Sequence, residues 1–152
     1  QLQQRRDQLV SYLQSLLDNV QSAITAQSAT IKQTPDDLES LTNQAGMLTL
    51  LAKLQIALSQ TDAAIESYTS AMSVYQAVIA IAPNNWQYHF SSGAVYLQIA
   101  SLLHSTQPAQ SDVYGQQALA AWNRAVELNP DNAELQERRD WLLTGLQNNE
   151  ST

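Results

Sequence analysis

Apolar residues recur along this chain at steps of three and four, the spacing that gathers them on one face of a helix. Leu9, Leu13, Leu16, Val20, Ile24 and Ile31 keep that rhythm with no glycine or proline between them. The rhythm predicts one long helix. The alternative is a hairpin broken at Asp18-Asn19, because residues 2–14, LQQRRDQLVSYLQ, resemble residues 135–147, LQERRDWLLTGLQ. A second helix is expected over 37–59, with Leu38, Leu41, Ala45, Leu48 and Ala52 on one face and Leu50, Leu51, Leu54 and Leu58 on another. Two apolar faces require two neighbours.

Thr61-Asp62 can cap a third helix running to Ala82, whose packing positions are Ile65, Tyr68, Met72, Tyr75 and Ile79. A fourth, from Trp86 to about His104, carries Phe90, Gly93, Tyr96, Leu97, Ala100 and Leu103. The loop STQPAQS over 105–111 precedes a fifth helix, begun by Pro108 or Ser111, with Leu119, Trp122 and Val126 as its stripe. A sixth covers 132–146 and leaves 148–152 as a frayed tail. Pro35, Pro83 and Pro130 mark the corners, since proline biases the preceding residue toward extended backbone and the following Asp or Asn can cap the next helix.

Shifting the chain by 47 residues superposes Ala71 on Ala118, Tyr75 on Trp122, Val78 on Ala125, Pro83 on Pro130 and Gly46 on Gly93. Matches at residues this demanding indicate an internal helical-hairpin repeat. Trp86, Gly93, Tyr96, Ala118, Trp122, Ala125 and Pro130 together resemble the signature of the tetratricopeptide (TPR) repeat family. The period departs from that family's unit of about 34 residues. Ser92 stands where the family has Leu, and Thr49 stands where the upstream copy would repeat Tyr96. The resemblance implies an all-α fold, a right-handed stack of antiparallel helix pairs (a TPR-like α-solenoid) with long helices and a C-terminal capping helix. The expected organisation is a single domain with an N-terminal helix or hairpin over 1–33, repeats over 36–83 and 84–130, and the cap over 131–147.

Composition narrows the partners. Seven Lys and Arg stand against fourteen Asp and Glu, a formal net charge of −7, and lysine occurs only as Lys32 and Lys53. No basic face is available to neutralise phosphates, so nucleic acid is not an expected partner. Charged residues are only 14% of the chain, and 20 glutamines supply much of the polar surface instead. No apolar run approaches the roughly 18–20 residues that span a bilayer. The absence of cysteine excludes disulfides and thiolate chemistry while leaving the compartment open. Gln1 in place of Met points to a processed form or an excised piece, so a soluble domain tethered through an upstream anchor is one expectation, with Arg5-Arg6 as its juxtamembrane charge.

The residues that could carry chemistry read as structural. His89 and His104 are fifteen positions apart on one helix, about 22 Å at its rise of 1.5 Å per residue, and cannot share a metal. Glu134, Glu137 and Asp140 lie among Arg138 and Arg139, as on a solvated face, and Asp36-Asp37 and Asp131 read as helix caps. No phosphate loop, dinucleotide fingerprint, nucleophile elbow or metal-binding loop occurs. Neither catalysis nor a cofactor or metal is expected.

If the pairs stack as the resemblance implies, the first helix of each lines a concave face. Asn43, Met47 and Leu50, then Phe90, Ala94, Leu97 and Gln98, then Glu137 and Trp141 would project there. That surface is apolar and rich in amides, with Asn43 and Arg138 the only candidates for gripping a peptide carboxylate. The expected function is therefore an adaptor that holds a partner protein's helix or extended peptide. The alternative is a structural, self-associating module, possible if one end helix takes a neighbouring copy's place, as part of a membrane-anchored assembly factor.

Overall fold

Three corners of the chain are built alike, and in each the cap is the second residue after a proline. Asp37 Oδ2 accepts the Ser40 N–H at 3.1 Å, Asn85 Oδ1 accepts the Gln87 N–H at 3.0 Å, and Asn132 Oδ1 accepts the Leu135 N–H at 3.2 Å. Each satisfies an amide that the first turn of a helix leaves without a partner. The caps are thus Asp37 and Asn132, not Asp36 or Asp131. The Asp37 carboxylate also accepts from the Ser40 hydroxyl. These bonds, the hydroxyl's first, hold its pKa below the ordinary 3.8.

The computed structural model describes residues 1–150. It contains α1 (Leu2–Gln33), α2 (Leu38–Ala57), α3 (Thr61–Ile81), α4 (Trp86–Leu103), α5 (Pro108–Leu128) and α6 (Ala133–Glu150). The fold is all-α. Residues 2–33 form one uninterrupted helix, with no break at Asp18-Asn19. α2 stops two residues short of Ser59, which has φ of 60° and sits where a helix commonly ends on a left-handed residue. There the Ser59 N–H donates to the Ile56 carbonyl at 2.9 Å and the Gln60 N–H to the Gln55 carbonyl at 2.8 Å, closing the end of α2. α5 begins at Pro108, and α6 continues through 148–150 where a frayed tail was expected. Ser151 and Thr152 lie outside the described residues. Among the described residues no helix is long and apolar enough to cross a membrane.

The chain divides into two compact units, Gln1–Val74 and the part from Tyr75 onward, with the division inside α3 and not at the Pro83 corner. In the first unit α1 and α2 run antiparallel. Leu17, Val20, Leu51 and Leu54 are buried together, flanked by Leu13, Leu16, Ile24 and Leu58. Each such side chain fully removed from water contributes about 1.5–3 kcal/mol. Amides close the seam beyond them: Gln27 Nε2 donates to the Ser40 carbonyl and Gln44 Nε2 to Ser28 Oγ, both at 3.1 Å. A buried Ser67 hydroxyl donates to Gln55 Oε1 at 2.6 Å, tying α3 to α2. Tyr68 beside it is fully buried, and its hydroxyl has no hydrogen-bond partner among the described residues. That burial pushes the phenol's pKa up.

α1 outreaches its partner. Every residue from 1 to 12 is exposed, and the first fully buried one is Leu17. The projecting turns rest on local bonds such as Gln3 Nε2 to Asp7 Oδ1 at 2.9 Å, a four-residue pairing that contributes only about 0.2–0.5 kcal/mol.

In the second unit α5 lies antiparallel to both α4 and α6. The buried Ser111 hydroxyl donates to the Ala100 carbonyl at 2.7 Å at one end of the α4–α5 seam, and Trp122 Nε1 donates to the Phe90 carbonyl at 3.0 Å toward the other. Gly93 sits between them, where a Cβ would stand 2.3 Å from Trp122 Cδ1 and 3.1 Å from the Ala118 carbonyl oxygen. The close approach requires glycine there, at about 1 kcal/mol of helix propensity relative to Ala. On the other side Leu146 of α6 settles on Gly115, whose added Cβ would lie 2.9 Å from Leu146 Cδ2. Ala118, Trp122 and Leu142 form the core that these contacts enclose.

Candidate functional site

Of the nine residues expected on a binding face, three lie on α2 in the first unit. Asn43 is exposed, Met47 half-buried and Leu50 exposed. The other six belong to α4 and α6 in the second unit. Ala94 and Leu97 are half-buried against the Ala118–Trp122–Leu142 core, Gln98 and Glu137 face solvent, and Trp141 is 67% exposed. Leu97 and Trp141 are brought together. They stand on opposite walls of a groove of about 330 Å³ between α4 and α6, floored by Ala100, Ser111 and Gly115.

Small residues open this groove. Gly145 lies one turn beyond Trp141 and, among the described residues, meets nothing within 4 Å of where a Cβ would be, so the α6 wall falls away beside the indole. Ser101 and His104 continue the α4 wall from Leu97. Their spacing of four and seven from Leu97 is the signal that would have placed them here. The groove is mostly apolar, and its volume sits at the lower end of the roughly 300–1,000 Å³ of typical ligand sites. It has room for one or two bulky side chains.

Phe90, expected to project into a binding face, is instead committed to packing. Its ring stacks on Trp122 at 5.5 Å between centroids and 16° between planes, and Trp86 meets its edge at 6.5 Å. The Arg138 guanidinium stands over the same ring, 5.5 Å from its centroid. Exposed contacts of this kind contribute about 0.5–1 kcal/mol. Arg138 also pairs with Glu134 at 2.9 Å, so the one arginine that was a candidate for gripping a carboxylate already has two partners.

The other chemistry-bearing residues have structural roles. A ring nitrogen of His89, Nε2, is 2.8 Å from the Pro83 carbonyl oxygen, which can only accept, so Nε2 carries the proton and the bond braces the corner before α4. Arg139 bonds Asp140 and reaches Asn123 Oδ1 on α5 at 3.3 Å. Among the described residues, no three His, Asp or Glu side chains converge as metal ligands would.

A second groove, which nothing in the sequence reading predicted, opens between α5 and α6. It measures about 530 Å³ and is lined by Val113, Ala120 and Leu146, with Asp112 and Glu150 also on its wall. Val113 is 49% exposed there. Models of known protein families match no part of the chain, and no curated protein matches it.

Proposed function

We propose that the protein is a binding module, not an enzyme, and that the α4–α6 groove of its second unit receives apolar side chains from a partner's helix or extended peptide. The observation that carries this reading is Trp141, a large aromatic left two-thirds bare on the rim of an apolar groove. Tryptophan is the residue type most enriched where a few contacts dominate binding energy. Among the described residues the groove's own walls supply amide, hydroxyl and imidazole groups and one carboxylate, Asp112, with no lysine or arginine, which favours apolar recognition over capture of a carboxylate. The second unit reads as a lengthened TPR-like pair followed by a capping helix. Support for that likeness is the contact of Gly93 with Trp122 and Ala118, the small and aromatic positions of the family pattern.

Panning a random-peptide display library against the immobilised full chain tests the proposal. Enriched peptides should be apolar, insensitive to salt, and at least tenfold weaker on Trp141→Ala, which is 1.4 kcal/mol or more. Phe90→Ala is unsuitable as the probe, because it removes a packed ring. Peptides ending in acidic residues, bound in a salt-dependent way and lost on Arg138→Glu but not on Trp141→Ala, would overturn the apolar reading.

A further inference from the structure

The bare end of α1 carries an interface that has outrun its partner. Leu9, Leu13, Leu16 and Val20 follow one another at steps of four, three and four, with Leu2 seven before Leu9, so all five share a single seam. From Leu13 onward that seam packs on Leu51, Leu54 and Leu58 of α2. Before Leu13 it faces solvent, with Leu2 84% and Leu9 57% exposed.

The same pattern occurs once more in this chain, and there it is covered. Leu135, Leu142 and Leu146 of α6 are the counterparts of Leu2, Leu9 and Leu13 in the shared LQxRRDxLxxxLQ pattern. Leu135 and Leu142 are each only 4% exposed, and Leu146 packs beside Leu142 against the α5 core. The Leu142–Leu146 part of this stripe is thus one that the surface of α5 accepts. Beside the place where α6 occupies that surface, the α5–α6 groove is open.

We propose that the exposed end of α1 docks in the α5–α6 groove of a second copy, so that copies associate head to tail. Leu2 to Leu9 and Val113 to Ala120 are each seven residues, about 10.5 Å of helix, so two apolar contacts fall in register. Charge sets the pairing. Arg5 and Arg6 flank the stripe, Asp112 and Glu150 flank the groove, and among the described residues none of the four has an ion-pair partner. In a chain of net charge −7, where copies otherwise repel, this juxtaposition is a local attraction. The two surfaces differ, so the contact is heterologous and does not close at a dimer unless the rotation closes a ring.

Sedimentation of the full chain over a wide concentration range tests this independently of any peptide bound at Trp141. The weight-average mass should rise with concentration, and Trp141→Ala should leave that rise unchanged. The double variant Leu2→Gln, Leu9→Gln and the single variant Val113→Glu change exposed positions, so each should keep its helical circular dichroism while associating at least tenfold more weakly. Mixed in equal amounts, the two should form a one-to-one dimer, because each retains the surface that the other lacks. A parent that stays monomeric throughout, a mixture that stays monomeric, or a Val113→Glu protein that associates like the parent would overturn the proposal. The last result would point to α1 pairing with α1 instead.

Discussion

A Cβ added at Gly93 would collide with Trp122, whereas one added at Gly46, its equivalent 47 residues upstream, would meet nothing within 4 Å. The second glycine is a contact and the first is a vacancy in a helix. Trp122 cannot give way for Gly93, because its indole donates to the Phe90 carbonyl while its ring stacks on Phe90. Nothing similar presses on Gly46, which is exposed on α2. The contrast extends further. In the second unit the buried Ser111 hydroxyl and Trp122 N–H are paired, while the first unit holds the unpaired Tyr68 hydroxyl and the left-handed Ser59. A repeat in sequence therefore does not imply a repeat in packing: Gly93 is held by a contact that its counterpart Gly46 lacks.

The sharpest way to break this contrast is to add a methyl group at each glycine. Gly93→Ala should destabilise by about 2 kcal/mol, the overpacking cost exceeding the gain in helix propensity. A melting temperature equal to the parent's would mean that Trp122 moves freely. Next in size, Tyr68→Phe should stabilise by about 1 kcal/mol, since it removes a buried hydroxyl that lacks a partner. Urea unfolding that shows a loss instead would reveal a partner for that oxygen. Gly46→Ala should stabilise by about 0.5–1 kcal/mol through helix propensity alone, opposite in sign to the change at Gly93.

The smallest effect is one of pH. Because folding lowers the Asp37 pKa, the cap's contribution is fully present above the ordinary 3.8 and is lost as pH falls through the lower folded value. Asp37→Asn keeps a capping oxygen without a titrating group. Its melting temperature should therefore fall less than the parent's between about pH 5 and 2. Equal slopes for the two proteins would show that the Asp37 contacts contribute nothing to acid sensitivity.

Six helices and their three proline corners were legible in the sequence, because periodicity and caps are local properties. Gly93 was legible too, since a mid-helix glycine needs a reason and a close contact supplies one. Gly46 satisfied the same rule and has no such contact, because alignment transfers residue types and not their neighbours. The neighbours of Phe90 were not legible for a related reason. A helical face can be read from spacing, but the reach of Arg138 across to it from another helix cannot. Periodicity alone also hides the point along α1 where α2 ends, and it carries no mark for a unit boundary inside the continuous stripe of α3. Leu97 and Trp141, placed on one face by what the TPR resemblance implies, both line the α4–α6 groove, whereas the α5–α6 groove depends on how two helices diverge.

The projecting end of α1 also has a consequence for amide exchange. A segment of about ten residues held only by local bonds within itself is near the limit of helix stability in water, so its local opening should require little free energy. The helix should then show a step in deuterium uptake, with amides before about Tyr12 exchanging early and those beyond Leu17, where side chains are buried, exchanging late. Because occupancy by another copy would protect the early group, raising protein concentration should move that step toward Leu2 and leave the late group unchanged. The exchange profile of this one helix would thereby act as a ruler for how much of it is covered.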